Sequence, residues 1–307
     1  MKDKPTNLPA SVLARLRTVA HEKGTDYQLI LRRYALERLL HRLTISPYRN
    51  QYVLKGAMLF TAWLDDPFRS TKDLDLLGHG DSAEAAVAAT FREICQTQAE
   101  DDGLVYDTKN LDATPIREEQ QYGGVRVTMT AFLAKTRIPV QVDIGFGDAI
   151  TPAAQELEFP PLLDTQGPRL KAYPKETVVA EKLQAIVALG RANSRMKDFY
   201  DLFVLSRLFE FDGQILVAAI RATFERRGTV VPTTTPDGLD GDFAEDAEKQ
   251  RQWRAFLGRE PLLVDAPNLA VTLTELGKFL LPLMQTGSSR VRFHKAWVAG
   301  GPWIDIP

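Results

Sequence analysis

The chain has 307 residues, enough for two domains of ordinary size, and its 44% hydrophobic and 25% charged residues are typical of a soluble globular protein. No apolar run reaches the roughly 20 residues of a membrane helix, and residues 1–9 lack the apolar core of a secretory signal. The single cysteine, Cys95, cannot form an internal disulfide, so we expect a cytoplasmic protein. Because no long apolar run is present, we also expect no contact with a membrane. The four histidines are far apart and show no metal-ligand spacing.

The net charge of −2 hides an uneven distribution. Residues 1–55 hold eleven Lys/Arg and four Asp/Glu and so carry +7, which leaves −9 for the rest of the chain. A basic flank beside an acidic body suggests a polyanionic partner. Arginines that only solvate two surface helices would give the same count, and the two interpretations stay open.

Two helices are predicted at the start of the chain. The first spans residues 11–22, with Ser11 as its cap and Gly24 after its end. The second spans residues 26–43, carries leucines at helical spacing, and ends before the Ser-Pro pair at residues 46–47.

Strands mixed with helices are predicted for residues 52–148. Residues 82–98 form an alanine-rich helix in this interpretation. Residues 125–133 and 138–144 are β-rich runs joined by a short polar turn, so we predict that both lie in one sheet.

Helical patterns dominate the last part of the chain. The proline-rich residues 151–168 are predicted to form a linker. Residues 174–189 begin with proline and stop at Gly190, as helices commonly do, and Ser194 is predicted to cap a helix that runs to about residue 209. Residues 228–242, rich in Gly, Pro and Thr, are predicted to be a mobile loop.

A pair of aspartates provides the first chemical signal. If residues 71–77 form a strand, Leu74 and Leu76 enter the core while Asp73 and Asp75 project together from the other face. Two carboxylates held so close repel each other unless a cation lies between them, and hard divalent cations such as Mg²⁺ prefer these ligands. A lone D-x-D could also be a solvated pair at a strand edge.

A third aspartate strengthens this signal. In residues 140–144, three aliphatic side chains face one way and Asp143 shares the opposite face with Gln141. An aspartate in so apolar a strand needs a reason, because burial of an unpaired charge is unfavourable. If the two strands are neighbours, Asp73, Asp75 and Asp143 form a three-carboxylate site that can hold two metal ions about 4 Å apart for phosphoryl transfer.

Two further segments could contact a nucleotide triphosphate. A glycine followed by a small residue, in a strand-to-helix turn, lets backbone N–H groups approach phosphate. A basic residue and two hydroxyl residues stand shortly before the aspartate pair and can bind the same phosphates. The predicted nucleotide-binding residues of these two segments are Lys55, Gly56, Ala57, Arg69, Ser70 and Thr71.

This order of motifs resembles the polymerase-β-like nucleotidyltransferase superfamily and, more narrowly, the AbiEii/AbiGii-type toxins, which include the MenT-like nucleotidyltransferases. Ala57 stands where many relatives have a second glycine. The motifs that carry the resemblance are residues 54–57 (LKGA), 69–75 (RSTKDLD), 141–148 (QVDIGFGD), 181–183 (EKL) and 195–202 (RMKDFYDL).

The resemblance implies an α+β fold: a nucleotidyltransferase-type mixed β-sheet with helices, preceded by N-terminal helices and followed by a C-terminal helical domain. We place the boundaries at residues 1–50, 51–165 and 166–307. It also implies a toxin of a type IV toxin-antitoxin (abortive infection) system. Such an enzyme transfers a nucleoside monophosphate from a nucleoside triphosphate (NTP) to the 3′ acceptor end of tRNA, uses Mg²⁺ or Mn²⁺, and is limited by an antitoxin. We expect a monomer.

By the same resemblance, five residues carry the reaction. Asp73 and Asp75 would bind the metals, and Asp143 would bind one metal and help to activate the attacking hydroxyl. Lys182 and Asp198 would be the distal essential residues, with Lys182 at the triphosphate. The residues alone favour a plainer interpretation, in which Lys182 belongs to a solvated helix face and nearby charges only pair with each other.

Several alternatives to a tRNA-directed enzyme stay open. A protein or a small molecule could be the acceptor, a D-x-D glycosyltransferase could hold a nucleotide-sugar, and a non-catalytic binding module could keep the fold. A glycosyltransferase usually has a nucleotide-binding unit before its D-x-D, whereas this chain has two predicted helices there, which counts against that alternative. The cations and aromatic residues of residues 290–297 suit either phosphate contact with base stacking or an ordinary terminal strand.

The basic flank yields a specific prediction about RNA. Arg32, Arg33, Arg38 and Arg42 lie in one predicted helix, and Arg38 and Arg42 share a face because they are four residues apart. We predict that Arg38 and Arg42 contact the tRNA backbone.

Overall fold

The protein consists of two compact units. The computed structural model describes residues 7–64, 71–116, 123–259, 262–288 and 292–306. The first unit comprises residues 1–147 and 155–172, and the second comprises residues 148–154 and 173–307. The first unit therefore includes the N-terminal helices as well as the sheet. The predicted division into three domains, with boundaries at residues 50 and 165, stays a prediction.

A mixed sheet of eight strands organises the first unit. Its strands are β1 (Tyr52–Lys55), β2 (Leu74–Gly78), β3 (Leu104–Tyr106), β4 (Asp112–Ile116), β5 (Gly124–Leu133), β6 (Thr136–Phe146), β7 (Gln155–Glu158) and β8 (Arg169–Ala172). They pair in the order β3-β5-β6-β2-β1-β8-β7, and β4 also pairs with β5. The pairs β2–β6 and β1–β8 are parallel and the others are antiparallel, so the predicted α+β fold with a mixed sheet is confirmed.

Four helices accompany this sheet: α1 (Leu8–Glu22), α2 (Tyr27–Ile45), α3 (Met58–Leu64) and α4 (Glu84–Gln96). Asn7 caps α1 by accepting a hydrogen bond from the Ala10 N–H at 3.2 Å, so the predicted start at Ser11 is wrong. Asparagine is an equally good cap, and the proline at the second helical position needs no N–H partner. Asp26, predicted as the first residue of the second helix, is its cap, because its carboxylate accepts from the Gln28 and Leu29 N–H groups and α2 begins at Tyr27.

The hairpin of β5 and β6 forms the longest strand pair. Buried and partly exposed residues alternate along β5, as the apolar period of the sequence predicts. Leu133 pairs with Thr136 across a two-residue turn in which Ala134 has φ 53°. That turn fixes the register of the whole hairpin and places Arg126 opposite Asp143.

The two arginines predicted to contact RNA are buried in an ion-pair network, so that prediction is wrong. The Arg38 side chain is fully buried, with Nε 3.1 Å from Asp102 Oδ2, and Arg42 Nη1 lies 2.6 Å from the same oxygen. Arg38 also donates to the Gln166 carbonyl at 2.9 Å, and the Leu162 N–H donates to Glu37 Oε2 at 2.8 Å. Residues 151–168 are therefore no free linker, because they contain β7 and their later part is bound to α2 side chains.

Removing the charge of Asp102 should lower the stability of the first unit strongly. Removing one partner of a buried ion pair destabilises a protein by about 3–5 kcal/mol, so we expect Asp102→Asn to lower the free energy of unfolding by that amount in urea titrations at pH 7. Burial raises the pKa of Asp102, but the hydrogen bonds and charge of Arg42 outweigh it and leave the pKa below its ordinary value. A depressed pKa stabilises the fold above the unfolded value of about 3.9. The difference between the two proteins should therefore shrink as the pH falls below about 4.

The exposed pair of Arg15 and Asp164, with N–O distance 3.0 Å, provides the matched control. Asp164→Asn makes the same chemical change on an exposed side chain and should lower stability by less than about 1 kcal/mol. Equal effects of the two substitutions would contradict the role of the buried network.

The second unit is mainly helical. Its helices are α5 (Lys175–Leu189), α6 (Met196–Leu208), α7 (Gly213–Arg226), α8 (Gly241–Glu245), α9 (Ala247–Leu257) and α10 (Leu269–Gly287). A small sheet joins β9 (Phe211–Asp212), β10 (Lys295–Trp297) and β11 (Trp303–Asp305) in the order β11-β10-β9. No helix within the described stretches of the chain is long and apolar enough to cross a bilayer.

The boundaries of α5 agree with the prediction, whereas two other local predictions fail. Ser194 does not cap α6, which begins at Met196 without a side-chain cap. Residues 228–242 are not a plain loop, because Leu239 is buried in a short 3₁₀ turn and Asp240 caps α8. Arg191 binds Asp240 and Asp242 from outside this segment at 3.1 and 2.9 Å.

The aromatic side chains near the C-terminus belong to the core. The Trp297 ring packs on Phe279 and Trp303, with centroids 4.9 and 5.3 Å apart, and Phe293 packs edge-on against Trp303 at 5.0 Å. Trp297 also donates to the Ser206 carbonyl at 2.7 Å. These rings are thus engaged within the unit, which favours the terminal-strand interpretation of residues 290–297, of which 290 and 291 lie outside the described residues.

Candidate active site

The predicted aspartate pair lies at the start of strand β2, which begins at Leu74, so Asp73 directly precedes the strand. Leu74 and Leu76 are buried in the core, and Asp75 points to the other face, as the alternation of a strand requires. Asp73 and Asp75 are both partly exposed. The Thr71 hydroxyl lies 2.9 Å from Asp73 Oδ1 and 3.1 Å from the Asp73 carbonyl oxygen, so Thr71 is brought to the pair. Arg69 and Ser70 lie outside the described residues, and their predicted phosphate contacts remain predictions.

Strand β6 brings the third aspartate beside the pair. β2 and β6 are parallel neighbours, and Asp75 is in register with Asp143. Neighbouring strands lie about 4.8 Å apart, and residues in register project from the same face. The two strands are therefore neighbours, as a three-carboxylate site requires, and Asp75 and Asp143 share one face of the sheet beside Asp73.

The turn between β1 and α3 requires a glycine at position 56 for reasons of packing alone. Gly56 has φ +72°, and a Cβ atom there would lie 2.0 Å from Asp75 Oδ2. Only glycine permits both the left-handed backbone and the close approach of this carboxylate. Among the non-glycine residues that the structure describes, Ala134 alone has a positive φ, so alanine at position 57 needs no strained conformation.

Four charged residues form one row across the sheet. Lys55 pairs in register with Asp75, Asp75 with Asp143, and Asp143 with Arg126, on the adjacent strands β1, β2, β6 and β5. Partners in register project from the same face. The row thus has two carboxylates in the middle and a cation at each end.

Arg126 was not among the predicted site residues, yet it binds Asp143 directly. Its Nε lies 2.8 Å from Asp143 Oδ1 and its Nη2 lies 2.7 Å from Oδ2, a bidentate pair, while Gln141 Nε2 donates to Oδ1 at 3.2 Å. The hydrogen bonds with Asp143 raise the pKa of Arg126, and the charges of Asp143, Asp73 and Asp75 add to the shift against the effect of burial. The guanidinium therefore lies in the field of all three carboxylates.

The donor set fits a hard divalent cation in its chemistry, since carboxylate oxygens on one face are what Mg²⁺ and Mn²⁺ prefer. Their present arrangement differs from a ligand set, because no group of three His, Cys, Asp or Glu side chains in the described ranges is placed to hold a metal ion. Both oxygens of Asp143 face the Arg126 guanidinium instead.

Lys182 and Asp198 form a second cluster, which lies in the second unit. Lys182 Nζ lies 2.7 Å from Asp198 Oδ1 and 2.7 Å from Asp201 Oδ2, and the three side chains are 15%, 8% and 0% exposed. The solvated-face interpretation of Lys182 and Asp198 is therefore wrong, while their catalytic roles remain predictions. Asp201, three residues after Asp198, is a further member that the resemblance alone did not assign.

A neighbouring cluster of the same unit involves two more residues of the motifs. Arg227 Nη2 lies 3.2 Å from Asp148 Oδ1 and 3.1 Å from Glu181 Oε1. Burial lowers the pKa of Arg227, but the charges of Glu181 and Asp148 outweigh it and raise the pKa above its ordinary value. Burial and the same two carboxylates raise the pKa of Tyr173, whose hydroxyl donates to Glu181. This cluster fastens the segment that begins at Asp148 to α5.

Together, the mixed sheet, the aspartates of two parallel neighbours and the glycine turn against one of them define a nucleotidyltransferase-type fold. The family model described as "Nucleotidyl transferase AbiEii toxin, Type IV TA system" matches residues 38–274. The chain therefore belongs to the AbiEii nucleotidyltransferase toxin family, as its motifs predict.

Two solved structures from Helicobacter pylori are similar over most of the chain. JHP933 is 15% identical with a TM-score of 0.48, and the match covers 86% of this chain and 94% of that chain. A protein provisionally named a nucleotidyltransferase is 16% identical with a TM-score of 0.46, covering 84% and 95%. None of the curated proteins compared with the chain matches it.

Proposed function

We propose that this protein is a toxin that transfers a nucleoside monophosphate from an NTP to the 3′ end of tRNA with the help of Mg²⁺ or Mn²⁺. One observation supports it above all: Asp75 and Asp143 stand in register on one sheet face, beside Asp73, in a chain of the AbiEii family. The 3′-hydroxyl oxygen forms a bond to the α-phosphorus, the bond to the pyrophosphate oxygen breaks, and the hydroxyl proton passes to a carboxylate.

The residues have separate tasks in this proposal. Asp73, Asp75 and Asp143 hold the metal, which when bound neutralises charge on the phosphates and lowers the pKa of the attacking hydroxyl. Asp143 also takes up the hydroxyl proton. Lys182 contacts the triphosphate as a compact charge, and Asp198 and Asp201 hold its ammonium group in place. Residues at the nucleotide are Lys55, Gly56, Ala57, Arg69, Ser70 and Thr71.

The acceptor and the partner rest on the family. With Arg38 and Arg42 buried, these two arginines no longer argue for RNA, so tRNA is proposed because the chain belongs to a family of type IV toxins. For the same reason we propose that a cognate antitoxin is its protein partner. A tRNA substrate would place the reaction in the cytoplasm, and a monomer is sufficient for the sites described.

Labelling tests this function directly. The purified protein is incubated with total tRNA and each α-labelled NTP, in Mg²⁺, in Mn²⁺ and in EDTA. We expect label on tRNA with a particular NTP, none in EDTA, and none on tRNA whose 3′ end has been oxidised with periodate. Label on protein without tRNA would replace tRNA by a protein acceptor, and transfer in EDTA would refute the metal.

A further inference from the structure

The bidentate contact between Arg126 and Asp143 sets a condition for the proposed reaction. The Arg126 guanidinium occupies one lone pair on each Asp143 oxygen, at 2.8 and 2.7 Å, and its positive charge repels a cation that approaches the remaining lone pairs. Arg126 and a divalent metal therefore compete for Asp143. This competition affects the reaction only if Asp143 is a metal ligand, so the inference rests on the proposed function.

The two side chains differ in their freedom to separate. The Arg126 side chain is 41% exposed, whereas that of Asp143 is 17% exposed and fixed on a central strand of the sheet. Because solvent reaches the Arg126 side chain, a dissolved phosphate group can reach the guanidinium and replace Asp143 as its partner. A guanidinium that leaves a carboxylate can make the same two-pronged contact with a phosphate group.

We propose that Arg126 exchanges partners during the reaction: it occupies Asp143 as an internal counter-cation before nucleotide binds, and then binds a phosphate group of the NTP. The exchange releases Asp143 for the metal when a polyphosphate is present. It thereby couples occupation of the carboxylates by metal to the arrival of the nucleotide.

Two binding measurements without turnover test the exchange, with Mn²⁺ alone and inorganic tripolyphosphate alone as probes. Arg126→Gln removes the competitor, so Mn²⁺ should bind about three- to tenfold more tightly than to the unaltered protein. The same substitution should weaken tripolyphosphate binding by about tenfold. A side chain with a merely structural role would not move the two affinities in opposite directions.

Matched variants make the result specific. Arg137→Gln makes the same charge change on the same hairpin, at a side chain that stacks 5.7 Å from the Phe132 ring, and should leave both affinities unaltered. Arg126→Lys keeps the charge without the two-pronged contact and should show a smaller gain in Mn²⁺ affinity. Adding Asp143→Asn to Arg126→Gln should abolish the gain.

Equal or weaker Mn²⁺ binding by Arg126→Gln, or unaltered tripolyphosphate binding, would overturn the exchange. If Arg126→Gln does not fold, Mn²⁺ binding by Arg126→Lys equal to that of the unaltered protein would do so. The proposed function fails separately, in the labelling assay: opposite shifts in affinity without any transfer would keep the exchange and refute the reaction.

Discussion

Replacing Asp75 by asparagine should lower the rate of nucleotide transfer by about 1000-fold, because a metal held by fewer carboxylates stabilises the transition state by several kcal/mol less. Asp73→Asn should have an effect of similar size. Asparagine keeps the shape of the side chain, so the space against Gly56 stays filled. The measurement is single-turnover transfer of label to tRNA at saturating NTP.

Stability distinguishes this effect from misfolding. Neutralising Asp75 removes its repulsion from Asp73 and Asp143 together with its attraction to Lys55, so the free energy of unfolding of Asp75→Asn should stay within about 1 kcal/mol of that of the unaltered protein. Asp112→Asn on strand β4 makes the same change at an exposed side chain of the same sheet and should leave transfer unaltered. Full activity of the Asp75 variant would refute the metal site.

The sheet face of the site could be predicted from the sequence because strand alternation is a local property. The apolar neighbours Leu74 and Leu76 determine where Asp75 points, and the same holds for Asp143 among the apolar residues of β6. Which strands become neighbours, by contrast, depends on the topology of the whole sheet and not on local sequence. Here the order of motifs in a known superfamily supplied what alternation could not, and the register of Asp75 with Asp143 bears it out.

The failed RNA prediction shows what a charge count leaves out. Helical spacing places Arg38 and Arg42 on one face but does not say whether that face meets water or the sheet. The decisive partner, Asp102, is 60 residues or more away in sequence, and nothing local indicates that it would be buried with them. Tyr106 adds to the enclosure, since the Arg42 guanidinium lies 5.0 Å from its ring.

Arg126 could have been found with one more piece of information. The hairpin was predicted, but with a turn two residues too long, and register follows from the turn. A two-residue turn at Ala134 makes Arg126 the partner of Asp143. Arg227 offers no such signal, because its partners Asp148 and Glu181 come from distant parts of the chain.

Lys182→Met should reduce transfer by about 100- to 1000-fold, because it removes a fixed positive charge at the proposed triphosphate site. It should also lower the free energy of unfolding by about 3–5 kcal/mol, since Asp198 and Asp201 then face each other in a buried place without their cation. Lys182→Arg should fail as well, because a planar fork does not replace a compact ammonium 2.7 Å from two carboxylates.

A double variant separates the two effects. Adding Asp201→Asn to Lys182→Met returns the cluster to its original net charge of −1, so most of the lost stability should come back in urea titrations. Transfer should not come back, because the charge that faces the nucleotide is still missing. Lys197→Met, at an exposed lysine of α6, should change neither property. If activity returned together with stability, Lys182 would only neutralise Asp198 and Asp201, and the cation that binds the triphosphate would have to be another residue.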